Sequence, residues 1–197
     1  MPKIKFKLFT KVNDPILARE GKIPKNSVTI KMPKNSIIIS LLFTIPLLIL
    51  MFILYYIKQD IMIDFSMKIN YVVLGTILGI LCCFIHELLH AIVMPKNADV
   101  YIGFIPKKFM FYMKYKEPIS KKRFILMSLI PLLLGIIPLI IFIISNNEIL
   151  NSIMWPMAMI GLVAPASDYL NVYLVLKKVP NGSYIKEVED GLCYFAR

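Results

Sequence analysis

Apolar residues fall along this chain in four long runs, roughly Ile37 to Ile57, Tyr71 to Met94, Phe124 to Ile144 and Ile149 to Leu176. Each is long enough to cross a bilayer's hydrocarbon core as a helix, which takes about 20 residues. Prolines and glycines punctuate them. Pro46 is expected to kink the first run, and Pro131, Gly135 and Pro138 to bend the third. Pro156 and then Pro165 interrupt the fourth. Gly75 and Gly79 give the second run a GxxxG spacing that lets another helix approach closely.

The polar stretches read differently from one another. Met1 to Ser36 is basic, with prolines at positions 2, 15, 24 and 33, too long and too interrupted for the leading segment of a cleaved signal peptide. The first span is therefore expected to stay in place. Within that arm, Lys3-Ile4-Lys5-Phe6-Lys7-Leu8 alternates polar with apolar, which suits a strand or a segment lying on a membrane surface. Between the second and third runs, Val100 to Ile105 and Phe109 to Met113 are rich in β-branched and aromatic residues, with Pro106-Lys107-Lys108 as a turn between them. A hairpin is expected there; an interfacial amphipathic loop is the alternative. A strand edge beside a protease site can bind an extended peptide by strand addition.

The pattern thus predicts an all-α membrane protein of about four transmembrane helices, with a small cytoplasmic β-hairpin between the second and the third. It divides into a basic N-terminal arm over 1–36, a four-span domain over 37–176 and a tail over 177–197. Composition agrees, since 58% of the 197 residues are hydrophobic. The mean hydropathy of +0.71 is too apolar for a soluble domain of this length.

Charge adds orientation. A formal net charge of +11 would point to nucleic acid in a soluble protein. Here the placement of the 23 Lys and Arg residues gives another account: nine precede the first span, eight lie between Pro95 and Arg123, and four follow Leu176. Only Lys58 and Lys68 remain for the other two loops. All heavily basic segments then share one side, which places both termini in the cytoplasm and the chain in the cell membrane. Anionic lipid is the expected partner of that charge, and nucleic acid is not. Cys82 and Cys83 in the second span and Cys193 in the tail indicate no disulfide framework. Cys82 stands four residues before His86, and a packing role is favoured for it over a ligand's.

The chemistry is concentrated in His86-Glu87-Leu88-Leu89-His90, which holds both histidines of the chain. Residues four apart share a helix face, so His86 and His90 can offer imidazoles to one metal, with Glu87 on the neighbouring stripe as general base. A metal-free histidine pair packed between helices is the alternative. Catalytic zinc takes three protein ligands and keeps one position open. At 1.5 Å per residue the motif lies about 9 Å from the cytoplasmic end of its span and Asp168 about 12 Å from its own, so Asp168 matches in depth. Glu117, in the loop on the same side, is the alternative third ligand. Asn171, one turn from Asp168, is expected to orient that ligand or to bind a substrate carbonyl.

Several further stretches carry a resemblance. Beside His-Glu-Leu-Leu-His stand Tyr-x-x-x-Lys-Glu-Pro at 112–118, Lys-Lys-Arg-Phe-Ile-Leu at 121–126 with Pro131, and Ser-Asp-Tyr-Leu-Asn at 167–171. Lys-Lys-Val-Pro at 177–180 and Asp190-Gly191-Leu192-Cys193-Tyr194 complete the set. From the second span onward the chain resembles the bacterial zincin membrane peptidases, first catalogued as a domain of unknown function and similar to the site-two-protease group. That family typically carries cysteine and histidine before Lys-Glu-Pro. This chain has Tyr112-Met113-Lys114-Tyr115 there, so no metal role is expected of that segment. The resemblance implies zinc held by the two motif histidines and an aspartate of a later span, whose matching position is Asp168.

The expected function is a zinc metalloprotease acting on a membrane protein or peptide, in or beside the membrane near its cytoplasmic face. A catalytically silent, zinc-bearing membrane scaffold is the alternative.

Overall fold

A computed structural model describes residues 1–7, 9–10, 26–61, 66–108, 110–188 and 191–196. Leu8, Pro15, Pro24, Phe109 and Asp190, singled out in the sequence, lie outside them.

The first apolar run forms α1 (Ser36–Leu42) and α2 (Ile45–Ile61), separated at Phe43 and Thr44. The break sits where the Pro46 ring would crowd the carbonyl of Leu42, four residues back. The second run is one unbroken helix, α3 (Ile69–Ile92). The third is α4 (Lys121–Leu129), a 3-10 turn at Ile130–Leu132 containing Pro131, and α5 (Leu133–Ile144). The fourth is α6 (Glu148–Val163) and α7 (Ala166–Lys178), bent by 40° at Pro165. Among the described residues, three helical stretches of 26, 24 and 24 residues are long and apolar enough to cross a membrane, and the bent pair makes a fourth if counted as one span.

Their outward faces carry Leu74, Ile77, Leu81, Ile137 and Ile140, all exposed. Such a surface is stable only against an apolar solvent, where every backbone group must be bonded internally. Lys58 obeys that constraint. Buried at the end of α2, it donates from Nζ to the Phe142 and Ile143 carbonyls at 2.6 and 3.0 Å and also to the Ser145 carbonyl, so closing the C-terminus of α5.

The β content exceeds the single hairpin expected, because the two ends of the chain contribute strands. One sheet has the order β1-β3-β4, with β1 (Lys3–Lys7) parallel to β3 (Asp99–Ile105), itself antiparallel to β4 (Met110–Tyr115). The other has the order β2-β7-β6-β5, from Val28–Lys31, Gly191–Phe195, Tyr184–Val188 and Ile119–Ser120. The seven strands among the described residues all attach to one set of helix ends: before α1, after α3, before α4 and after α7. There they form the main core with the last turns of α3 and α7, through Ala91, Val100, Ile119, Phe124, Val175 and Ile185.

Helix α3 lies along α6, and glycine permits the approach. A Cβ on Gly75 would overlap the Ile153 carbonyl of α6, and one on Gly79 would meet the Ile160 side chain, most closely its terminal Cδ1 at 2.7 Å. α5 and α6 meet through Gly135 and Gly161, where the Gly161 Cα faces the Leu134 carbonyl. That carbonyl has lost its helical donor because the residue four positions on is Pro138.

Candidate metal centre

α3 places His86 and His90 one turn apart on the face turned into the protein, and both are buried. Their Nε2 atoms lie 3.0 Å from each other. Asp168 comes from the first turn of α7, where the break at Pro165 turns the chain back toward α3. Its Oδ2 is 3.4 Å from His86 Nε2 and 3.5 Å from His90 Nε2. Among the described residues these three are the group whose donor atoms converge closely enough to hold a metal ion.

The geometry can be tested against the donors' needs. Bonds of about 2.0–2.2 Å at tetrahedral angles set ligand atoms roughly 3.3–3.5 Å apart. Two of the three observed separations fall in that range, and the histidine pair at 3.0 Å is a few tenths short. The protons also fit. His90 Nδ1 lies 2.7 Å from the Met127 carbonyl, which can only accept, so Nδ1 carries a hydrogen and Nε2 is the nitrogen left to serve as a metal ligand. The residues present fit zinc.

The bend that presents Asp168 is itself secured. The Asp168 and Tyr169 amides donate to the Pro165 carbonyl at 2.9 and 3.1 Å. The Tyr169 hydroxyl donates to the Leu162 carbonyl in the last turn of α6 at 2.8 Å. A carbonyl there has no helical partner of its own.

Glu87 stands one residue round the helix, half-buried, and lines two cavities that adjoin the histidines. One, of about 250 Å³, is walled by the triad, β4 residues Met110 to Lys114, Asn171 and Glu187. The other, of about 340 Å³, is apolar and lined by Ile80, Cys83, Met110, Phe111 and Ala164 besides His86 and Glu87. Asn171 thus shares the cavity of Asp168. Glu117 does not join the group: it lines a separate cavity with Pro95, Arg123 and Tyr184. Residues 93–98 turn the chain from α3 into β3, β4 pairs back along β3, and the segment carrying Glu117 then leads on to β5 and α4.

Three contributors were not read from the sequence. The Met127 carbonyl had a signal in Pro131, since a proline frees the carbonyl four residues before it. The Lys114–Glu187 ion pair, 2.8 Å long and mostly buried, joins β4 to β6 across the polar cavity and had none. Cys83, which lines the apolar cavity, had only its position four residues after Gly79.

Comparisons with known proteins come to the same point. No curated protein and no solved structure matches the chain. One family's sequence model, described as "putative zincin peptidase", matches residues 79–184, which include the whole of His86 to His90, strands β3 and β4 and Asp168. That match covers more than half of the chain, and the protein belongs to this zincin peptidase family.

Proposed function

We propose that the protein is a membrane-embedded zinc metallopeptidase that cuts a peptide bond within or beside the membrane near its cytoplasmic face. The observation that carries this reading is the convergence of His86, His90 and Asp168 beside a cavity that Glu87 also lines. The two histidines and Asp168 would hold the ion. Zinc bound there supplies a Lewis acid for the scissile carbonyl and makes water more acidic. Glu87 accepts a proton from the attacking water and returns it to the departing amine, so that the carboxylate is regenerated. The Asn171 amide is placed to donate to a substrate carbonyl or to orient Asp168.

β4 is the outer strand of its sheet and walls the polar cavity. A substrate in extended form would pair with its outer edge, and the backbone bonds would fix the scissile bond over Glu87. Counted as four crossings, the helices would put the described strands and both termini on one side, and the lysine distribution supports the cytoplasm as that side. The basic arm and loop then face anionic headgroups.

Glu87→Gln tests the reading. The change is nearly isosteric, so zinc content and melting temperature should match the parent, while proteolysis of a membrane substrate falls by about 10²–10⁴. His86→Ala should lose zinc and activity together. If Glu87→Gln supports parental function in cells where His86→Ala does not, the metal is structural and the protein is a scaffold.

A further inference from the structure

The two cavities beside the metal centre share four residues, His86, Glu87, Met110 and Phe111, and differ in the rest of their walls. One continues to Ile80, Cys83 and Ala164, all apolar or weakly polar. The other continues to Asp168, Asn171 and the Lys114–Glu187 ion pair. A backbone laid past Glu87 therefore drops its side chains into opposite chemistries on the two sides of the cut. Ile80 lies six residues before His86 on α3, about 9 Å toward the middle of the span. The apolar cavity is thus on the side of the membrane interior and the ion pair on the side of the sheets.

We propose that the cavity lined by Ile80, Cys83, Phe111 and Ala164 is the specificity subsite for one large apolar side chain, leucine- or phenylalanine-like, next to the scissile bond. This deepens the peptidase reading and rests on it. The occupant follows from the walls. Beyond His86 and Glu87, which the metal centre and the attacking water engage, the walls offer a charged or amide side chain no polar partner to replace lost water, whereas an apolar one is transferred favourably. At about 340 Å³ the space exceeds what a small side chain fills. Ala164 is the smallest side chain in its wall. It is the exposed cap residue of α6 just before the bend, so a longer side chain at 164 is expected to narrow the cavity.

The test uses full-length, zinc-loaded Glu87→Gln protein in detergent micelles, which binds without cutting. Fluorescent peptides with an apolar half and a Lys/Glu-rich half, differing only in the junction residue, are titrated by anisotropy. Leucine and phenylalanine should bind at least about tenfold tighter than serine or aspartate. The same peptides should slow alkylation of Cys83 by N-ethylmaleimide in a Cys82→Ala, Cys193→Ala background. Ala164→Phe should reverse the order toward alanine with zinc content unchanged. Should that variant not accumulate, Phe111→Ala, which removes one wall, should erase the preference for phenylalanine.

Equal affinity across the peptide series overturns the subsite. So does an unchanged preference in the variants, or protection of Cys83 by detergent chains alone, which would make the cavity a lipid's. If none of the peptides binds the zinc-loaded protein, it is the peptidase reading that falls.

Discussion

His90 donates from Nδ1 to the carbonyl of Met127, 37 residues away on α4, at 2.7 Å. That carbonyl is free because the residue four positions on is Pro131, which has no N–H to offer it. A helix break in one span thereby fixes the tautomer of an imidazole in another. Pro131→Ala would restore a helical donor to Met127 and set it in competition with His90. Outer-shell partners of this kind are worth about 10–100-fold in metal affinity, so zinc binding should weaken by that factor in a competitive chelator titration. Unchanged affinity would mean that the Met127 contact does not matter to the ion.

The third ligand can be assigned by subtraction. Asp168→Ala should leave purified protein with well under stoichiometric zinc, because two imidazoles alone do not make a catalytic site. Glu117→Ala should keep its metal, since Glu117 lines another cavity. Metal analysis of the two variants side by side gives the answer, and the opposite pattern would return the role to Glu117.

Zinc binding should also depend on a contact remote from the ligands. At Gly75 any Cβ would strike the backbone of α6, whereas at Gly79 it meets a side-chain end that can turn away. Gly75→Ala should cost about 1–3 kcal/mol of stability by overpacking and Gly79→Ala less. Gly75→Ala should lower zinc occupancy too, because α3 carries the histidines and α6 leads into Asp168. Thermal unfolding with metal analysis of both variants checks it; equal effects would count against the close approach.

Orientation is open to direct labelling. In a background without native cysteines, Lys107→Cys should be shielded from a membrane-impermeant maleimide in intact cells, and Asn147→Cys should react. The reverse result would invert the topology.

The chain's own sequence determined the apolar spans and the helix-face pairing of His86 with His90, because both follow from local spacing. A run of twenty apolar residues has one stable form in lipid, and an i, i+4 pair is adjacent on any helix. The common depth of Asp168 and the motif was legible for the same reason, from a fixed rise per residue. Lys3 to Lys7 could be read as a strand from its alternation, but its parallel partner β3 lies more than 90 residues on, and no local pattern encodes that pairing. β2 and β7 are four and five residues long and join opposite ends of the chain. Tertiary structure alone decided these, and with them the Lys114–Glu187 bridge and the walls of both cavities. The physical reason is one of range: spacing along a helix is set by backbone geometry, while the partner across a gap is set by how separate elements pack.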